Sequence, residues 1–255
     1  MAKLSFRSVS YQPDGPPRAI IFFVASLGTK YWYYQPVFRV LNRRGFLLQS
    51  YDYHPFLRSD PEELVPLSHN IVDDMAARVK AYKSVYPGIK FGMIGASAGS
   101  IMALRAAKII NDFERILLVT VYGSTALQVW DYLPLNHMRQ TLINKNLGLA
   151  EAYKIFEAIE PLHQLHLIGK RPILVFGSLN DPVIKHSNTK ILLDEAKNLG
   201  LDLTFVPLAT NKHIATIIRA FWGMDEWLPF FEPLLKTNIG QALASVCPVD
   251  KLPAE

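Results

Sequence analysis

The chain of 255 residues has one cysteine, Cys247, so an intrachain disulfide is excluded. That fits a reducing compartment, and the thiol, beside no motif, reads as incidental rather than nucleophilic. Long hydrophobic runs are also missing. The most apolar stretch, Ala19 to Leu27, is far too short to cross a bilayer and reads as a buried strand, so no stable membrane insertion is expected. The opening residues, MAKLSFRSVS, lack the apolar stretch of a signal peptide, and the expectation is a cytoplasmic protein. The formal charge is +5, with Lys and Arg mostly interleaved with acids. This is a weakly basic surface without a nucleic-acid-binding motif, and no nucleic-acid partner is expected. No His and carboxylate cluster has metal-ligand spacing, and neither a metal nor a cofactor is expected.

What the chain does have is apolar residues, half of the total, which is enough for a large core. Strand-like and helix-like stretches alternate from Ala19 onward. Arg18–Ala25 is apolar throughout, as in a strand covered on both faces. Gln35–Arg44 is amphipathic and ends at Gly45. Phe46–Tyr53 reads as a strand. In Asn70–Val85, Ile71, Met75, Val79 and Tyr82 share one helix face, and Pro87-Gly88 stops the helix. Further strands are read at Ile89–Ile94, Arg115–Tyr122, Pro172–Gly177 and Leu201–Pro207. Helices are read at Ser100–Ile110, Asn188–Leu199 and Ile214–Phe221. Leu4–Tyr11 reads as an extra antiparallel edge strand. The alternation predicts one α/β domain over 1–255, a mostly parallel sheet wound with helices on both faces.

One interval breaks the rhythm. Residues 124–170 contain helix-like pieces, no strand, and many apolar side chains. Insertions of this kind lie over the ends of strands, and the interval reads as a helical cap, with ordinary helices packed on the sheet as the alternative. Within it Trp130, Tyr132 and Met138 are candidate substrate-pocket residues.

The stretch Gly95-Ala96-Ser97-Ala98-Gly99 follows a predicted strand and opens a predicted helix. That is the context in which G-x-S-x-G presents a nucleophilic serine. A sharp turn lifts the hydroxyl above the sheet but strains the serine backbone, and small residues two before and two after avoid collision. Gly95 and Gly99 supply both. The helix begins at the serine, so the Ala98 N–H is the expected donor to an oxyanion. The glycine spacing is not that of a dinucleotide loop, and no P-loop lysine follows.

A serine nucleophile needs a base and an acid to orient it, in the chain order serine, acid, histidine. Five histidines follow Ser97. His213 leaves the last strand in Pro207-Leu-Ala-Thr-Asn-Lys-His213 and is the best placed base. Asp181, just beyond a strand in Phe176-Gly-Ser-Leu-Asn-Asp181-Pro-Val183, is the candidate acid.

Taken together these segments resemble α/β-hydrolases of the serine aminopeptidase and monoacylglycerol-lipase-like group, more narrowly bacterial hydrolases of that kind. Ala25-Ser-Leu-Gly28 followed by Tyr33-Tyr34 matches the group's oxyanion loop. Tyr51-Asp52-Tyr53 with Arg58-Ser59-Asp60 matches the stretch after the next strand. The resemblance implies that Leu27 supplies a second oxyanion N–H. The chain departs from the group in having Ala25-Ser26 where His-Gly is usual, Ala96 where His is common, and Ser100 where Gly is common.

The expected activity is hydrolysis of a carboxylic ester with a hydrophobic acyl group, through an acyl-serine. A small-molecule ester or acyl compound is the expected partner. Thioesterase or acyltransferase chemistry on the same residues, and a hydrolase fold used only for binding, remain as alternatives. The aromatic segment Phe221–Phe231 reads either as a helix and turn packed on the sheet or as an attachment to a lipid surface.

Overall fold

The computed structural model describes residues 5–26, 29–54, 60–132 and 135–236. Seven strands form one sheet: β1 Ser5–Tyr11, β2 Ala19–Val24, β3 Phe46–His54, β4 Phe91–Ala96, β5 Phe113–Val119, β6 Ile173–Ser178 and β7 Leu203–Leu208. Their spatial order is β1-β3-β2-β4-β5-β6-β7, with β1 antiparallel to β3 and every other pair parallel.

The central strands are buried on both faces, and their side chains divide with a period of two. Ile20, Phe22 and Val24 of β2 enter one core, whereas Ala19, Ile21 and Phe23 enter the other. Helices α2 (Leu64–Val85), α3 (Gly99–Ile109) and α8 (His186–Asn198) cover the first face. Helices α1 (Gln35–Arg43), α9 (His213–Trp222) and α10 (Met224–Leu235) cover the second. Gly45, at φ +90°, lets the chain turn from α1 directly into β3.

The structure departs from the sequence-based boundaries at instructive points. Helix α2 begins at Leu64, six residues before the expected Asn70. Asp60 accepts from Glu62 N and starts a 3-10 turn that runs into the helix. Pro66 falls in the first turn, where a missing N–H costs nothing. Strand β5 stops at Val119, before the expected Tyr122, because Thr120 takes a left-handed φ of 55°. His213, expected in a loop, is the first residue of α9.

Between β5 and β6 the described residues contain no strand. Four short α-helices lie among them, α4 Thr125–Asp131, α5 Asn136–Asn144, α6 Leu149–Phe156 and α7 Pro161–Leu165, with a 3-10 turn at Glu157–Ile159. The segment Phe221–Phe231 is divided: Phe221, Trp227, Leu228 and Phe231 are buried in the core, whereas Trp222 is exposed, and the Trp227 indole donates to Ala220 O at 3.0 Å.

Candidate active site

Ser97 stands between β4 and α3 with φ +52°, a left-handed conformation that a side chain rarely adopts. The turn is held by Ser97 N donating to Val119 O (2.7 Å) and Ser100 N donating to Ser97 O (2.8 Å). Glycine is required on both sides. A Cβ on Gly95 would stand 2.7 Å from Ala103 Cβ and Ser100 Cα. One on Gly99 would stand 2.6 Å from Ala25 O and closer still to Val24 O. The close approach of β2 to α3 thus depends on the absence of a side chain at residue 99.

Three residues from separate strand ends converge here. The Ser97 Oγ lies 3.0 Å from His213 Nε2, and His213 Nδ1 lies 2.8 Å from Asp181 Oδ2. All three are nearly closed to solvent. The carboxylate of Asp181 accepts, so Nδ1 carries the proton and leaves Nε2 to accept from the serine hydroxyl. Asp181 Oδ1 accepts from Val183 N (2.8 Å) and Ile184 N (3.1 Å), which fixes the carboxylate plane. Such an arrangement can take a proton from Oγ onto Nε2 while the resulting imidazolium faces a carboxylate.

Ala98, the residue before α3, lines the cleft beside Ser97, and its N–H has no acceptor among the described residues. Leu27, the other expected oxyanion donor, lies outside the described residues. Its neighbours are firmly held. Ser26 N donates to the Tyr34 hydroxyl (3.3 Å), and the Thr29 hydroxyl donates to Ser26 O (2.6 Å).

Several supporting residues carried no signal in the sequence. The Ser178 hydroxyl, at the end of β6, donates to Thr210 O and accepts from Asn180 N, joining the Asp181 and His213 loops. Thr216, one turn into α9, shares a 2.5 Å hydroxyl contact with Thr210 and donates to Lys212 O. Glu160 is buried and accepts from Thr125 N and Ala126 N, both at 2.8 Å, and from the Ser124 hydroxyl at 3.3 Å. It thereby anchors the first turn of α4. Burial raises its carboxyl above the ordinary range, against the pull of those donors. Hydroxyls and a glutamate are too common in any chain for such roles to stand out.

A cleft of about 540 Å³, counting its space open to solvent, opens above Ser97. Its walls are mostly apolar, with Leu64, Ile101, Met102, Val129, Leu135 and Ile159 among them. Phenols of Tyr53 and Tyr122 also line it, and burial holds both well above the usual phenol range. Gln128 Nε2 donates to Val183 O at 2.9 Å, pinning α4 to the Asp181 loop.

Of the expected pocket residues only Tyr132 lines this cleft. Trp130 and Met138 do not, and the expectation is corrected for both. Helix α4 turns Thr125, Gln128 and Val129 toward the cleft, joined by Tyr132 just past its end, while Trp130 packs against the core. Met138 of α5 is wholly buried in the core.

A family model described as serine aminopeptidase, S33, matches residues 15–148, about half of the chain. The chain belongs to this hydrolase family. Solved structures agree on the fold. An acylaminoacyl peptidase from Pyrococcus horikoshii matches with a TM-score of 0.69 at 15% identity, over 93% of this chain and 42% of that one. A lipase in an open form gives 0.66 at 12% identity, over 92% of this chain and 96% of that one. A carboxyl esterase from Bacillus coagulans gives 0.65 at 13% identity, over 90% and 94%. At these identities the likeness is one of fold, and the architecture is the α/β-hydrolase fold. The chain spans about two fifths of the length of the acylaminoacyl peptidase. No curated protein gives a significant match.

Proposed function

We propose that this serine hydrolase cleaves a carboxylic ester with a hydrophobic acyl group, using Ser97 as nucleophile, His213 as base and Asp181 as the group that orients the base. The observation that carries the reading is the 3.0 Å approach of Ser97 Oγ to His213 Nε2, with Asp181 on the other ring nitrogen, at the floor of an apolar cleft. The lipase and carboxyl esterase among the structural neighbours are proteins of compatible chemistry.

In the proposed reaction Ser97 Oγ attacks the carbonyl carbon and its proton passes to His213 Nε2. The carbonyl oxygen becomes an oxyanion facing the Ala98 N–H and, by family resemblance, that of Leu27. Collapse expels the alcohol, which takes the proton from His213 and leaves acyl-Ser97. Water then gives a proton to His213 and attacks the acyl carbon, and the acid departs as Oγ recovers its proton. Helices α4 to α7 act as the cap of a single hydrolase domain, with Tyr132 on the wall that meets the acyl chain.

The test is covalent. A fluorophosphonate should add once per chain, at Ser97, and Ser97→Ala should abolish the adduct. Labelling at another residue, or none on folded protein, rejects the reading. A panel of esters and thioesters of rising chain length then measures the acyl preference, with esters expected to lead.

A further inference from the structure

Cations and acids interleave along most of the chain, but residues 29–45 and 203–222 hold six Lys and Arg and no Asp or Glu. Outside them 21 Lys and Arg are outnumbered by 22 acids, so the whole excess of positive charge resides in these two segments. The fold sets them side by side. The first contains the 3-10 turn Tyr31–Tyr34 and α1, the second contains β7 and α9, and Tyr34 meets Phe221 edge-on at 5.5 Å between ring centroids. Two of the cations are paired, Arg44 with Glu232 and Arg219 with Glu226. Lys30, Arg39, Arg43 and Lys212 are exposed and have no carboxylate partner among the described residues.

The same side carries large apolar groups turned to solvent. Ile214, Ile218 and Trp222 recur every fourth residue along α9 and are 57, 46 and 74% exposed. Trp32 and Tyr33 stack on each other at 4.0 Å and are 47 and 58% exposed. The opposite side of α9 is already occupied, with Ile217 and Phe221 buried in the core. A surface helix normally turns polar groups outward, whereas α9 is apolar inward and outward, with Lys212 and Arg219 as its charged neighbours.

Exposed Trp, Tyr and Ile on segments that also carry unpaired cations match the chemistry of an acidic bilayer surface, where aromatic side chains sit at headgroup depth and Lys and Arg meet the phosphates. A nucleic acid would answer the cations and leave the isoleucine stripe in water. We propose that the face formed by the Tyr31–Tyr34 turn, α1 and α9 docks on anionic lipid membranes. His213 opens α9, so the stripe starts one residue after it, at Ile214, and extends about 12 Å to Trp222, at 1.5 Å per residue. This inference goes beyond the hydrolase reading and does not depend on it.

Co-sedimentation of the full chain with vesicles tests it. The chain should bind phosphatidylcholine vesicles containing phosphatidylglycerol at low ionic strength, lose binding as salt rises, and bind pure phosphatidylcholine about tenfold more weakly or worse. The double substitution Ile218→Ser, Trp222→Ser should weaken binding about tenfold, and Arg39→Glu with Arg43→Glu by a similar factor. Circular dichroism identifies any variant that fails to fold, and the two pairs probe the face independently. Ser97→Ala should bind as the unsubstituted chain does, which separates this result from the fate of the hydrolase reading. Absence of binding to the anionic vesicles overturns the proposal, as does undiminished binding by the folded apolar variant. An RNA oligonucleotide that binds tightly and is indifferent to the apolar variant would reassign the face to nucleic acid.

Discussion

The Ser178 hydroxyl donates to the Thr210 carbonyl oxygen, so one small side chain clasps the loop that carries Asp181 to the loop that carries His213. Because Ser178 Oγ also accepts from Asn180 N at 3.1 Å, its position is fixed from both sides. Ser178 touches none of the reacting groups and acts by position. Replacement by Ala should lower kcat about tenfold with little change in KM, since misaligned acid and base are felt in the chemical step. The loss in stability should be only about 1 kcal/mol, the net value of an ordinary hydrogen bond. Ser178→Thr, which keeps the hydroxyl, should restore most of the rate. Steady-state kinetics with a soluble ester compares both variants with the unsubstituted chain.

Ser97 and His213 should fail as a unit. Ser97→Ala and His213→Ala should each remove nearly all turnover, and the double variant should be hardly worse than either, because each leaves the other without work. Asp181→Asn should also lose activity substantially, as an amide does not hold the imidazole in the required tautomer. Multiplicative losses in the double variant would show that the two residues act separately.

The elbow makes a stability prediction independent of activity. A methyl at residue 99 meets the Val24 and Ala25 carbonyl oxygens, which belong to a buried strand end and cannot retreat. Gly99→Ala should therefore cost about 3 kcal/mol or more, on the scale of severe overpacking. Gly15→Ala, where a Cβ meets nothing within 4 Å, is the control and should stay within about 0.5 kcal/mol. Urea unfolding of the two variants decides it.

The sheet, its antiparallel edge strand and the convergence of Ser97, Asp181 and His213 could be read from the sequence because local signals determine them. Apolar runs mark strands buried on both faces, and Ser97 and Asp181 each sit just past one, whereas His213 follows the partly exposed edge strand β7. Helix phase was harder to read. Trp130 and Tyr132 are two positions apart in one apolar stretch, and only the packed direction of α4 shows that Tyr132 faces the cleft. Pro66 concealed the start of α2, because a proline in a first turn looks the same as one that ends a helix. Ser178, Thr210 and Glu160 act on residues more than 30 positions away, a relation that local pattern does not carry.

The same difference in helix phase separates wall from core by experiment. Tyr132→Ala should change the preferred acyl chain length while leaving stability within about 1.5 kcal/mol, because the residue borders open space. Met138→Ala should do the opposite, costing about 2–5 kcal/mol for a buried cavity and leaving the preference alone. Chain-length profiles and unfolding curves of both variants check the pair. A changed preference in the Met138 variant alone would mean that the cleft extends into α5.

Glu160 gives the fold a pH-dependent contribution whose sign follows from its surroundings. Burial raises its carboxyl in the folded state, while the N–H groups of Thr125 and Ala126, the Ser124 hydroxyl and the charge of His163 draw it down without prevailing. Between the ordinary carboxylate range and this raised value the folded chain binds the proton more tightly than the unfolded chain. Stability from this group is therefore fully present at lower pH and declines as pH rises through that window. Glu160→Gln removes the titration and turns an amide N–H₂ toward a backbone donor, at a cost of about 1–3 kcal/mol. The deficit of the variant relative to the unsubstituted chain should be greatest at acid pH and should shrink as pH rises through the window. Urea unfolding of both chains across that range measures the difference. A deficit that grows with pH would mean that ionised Glu160 stabilises α4 more than burial opposes it.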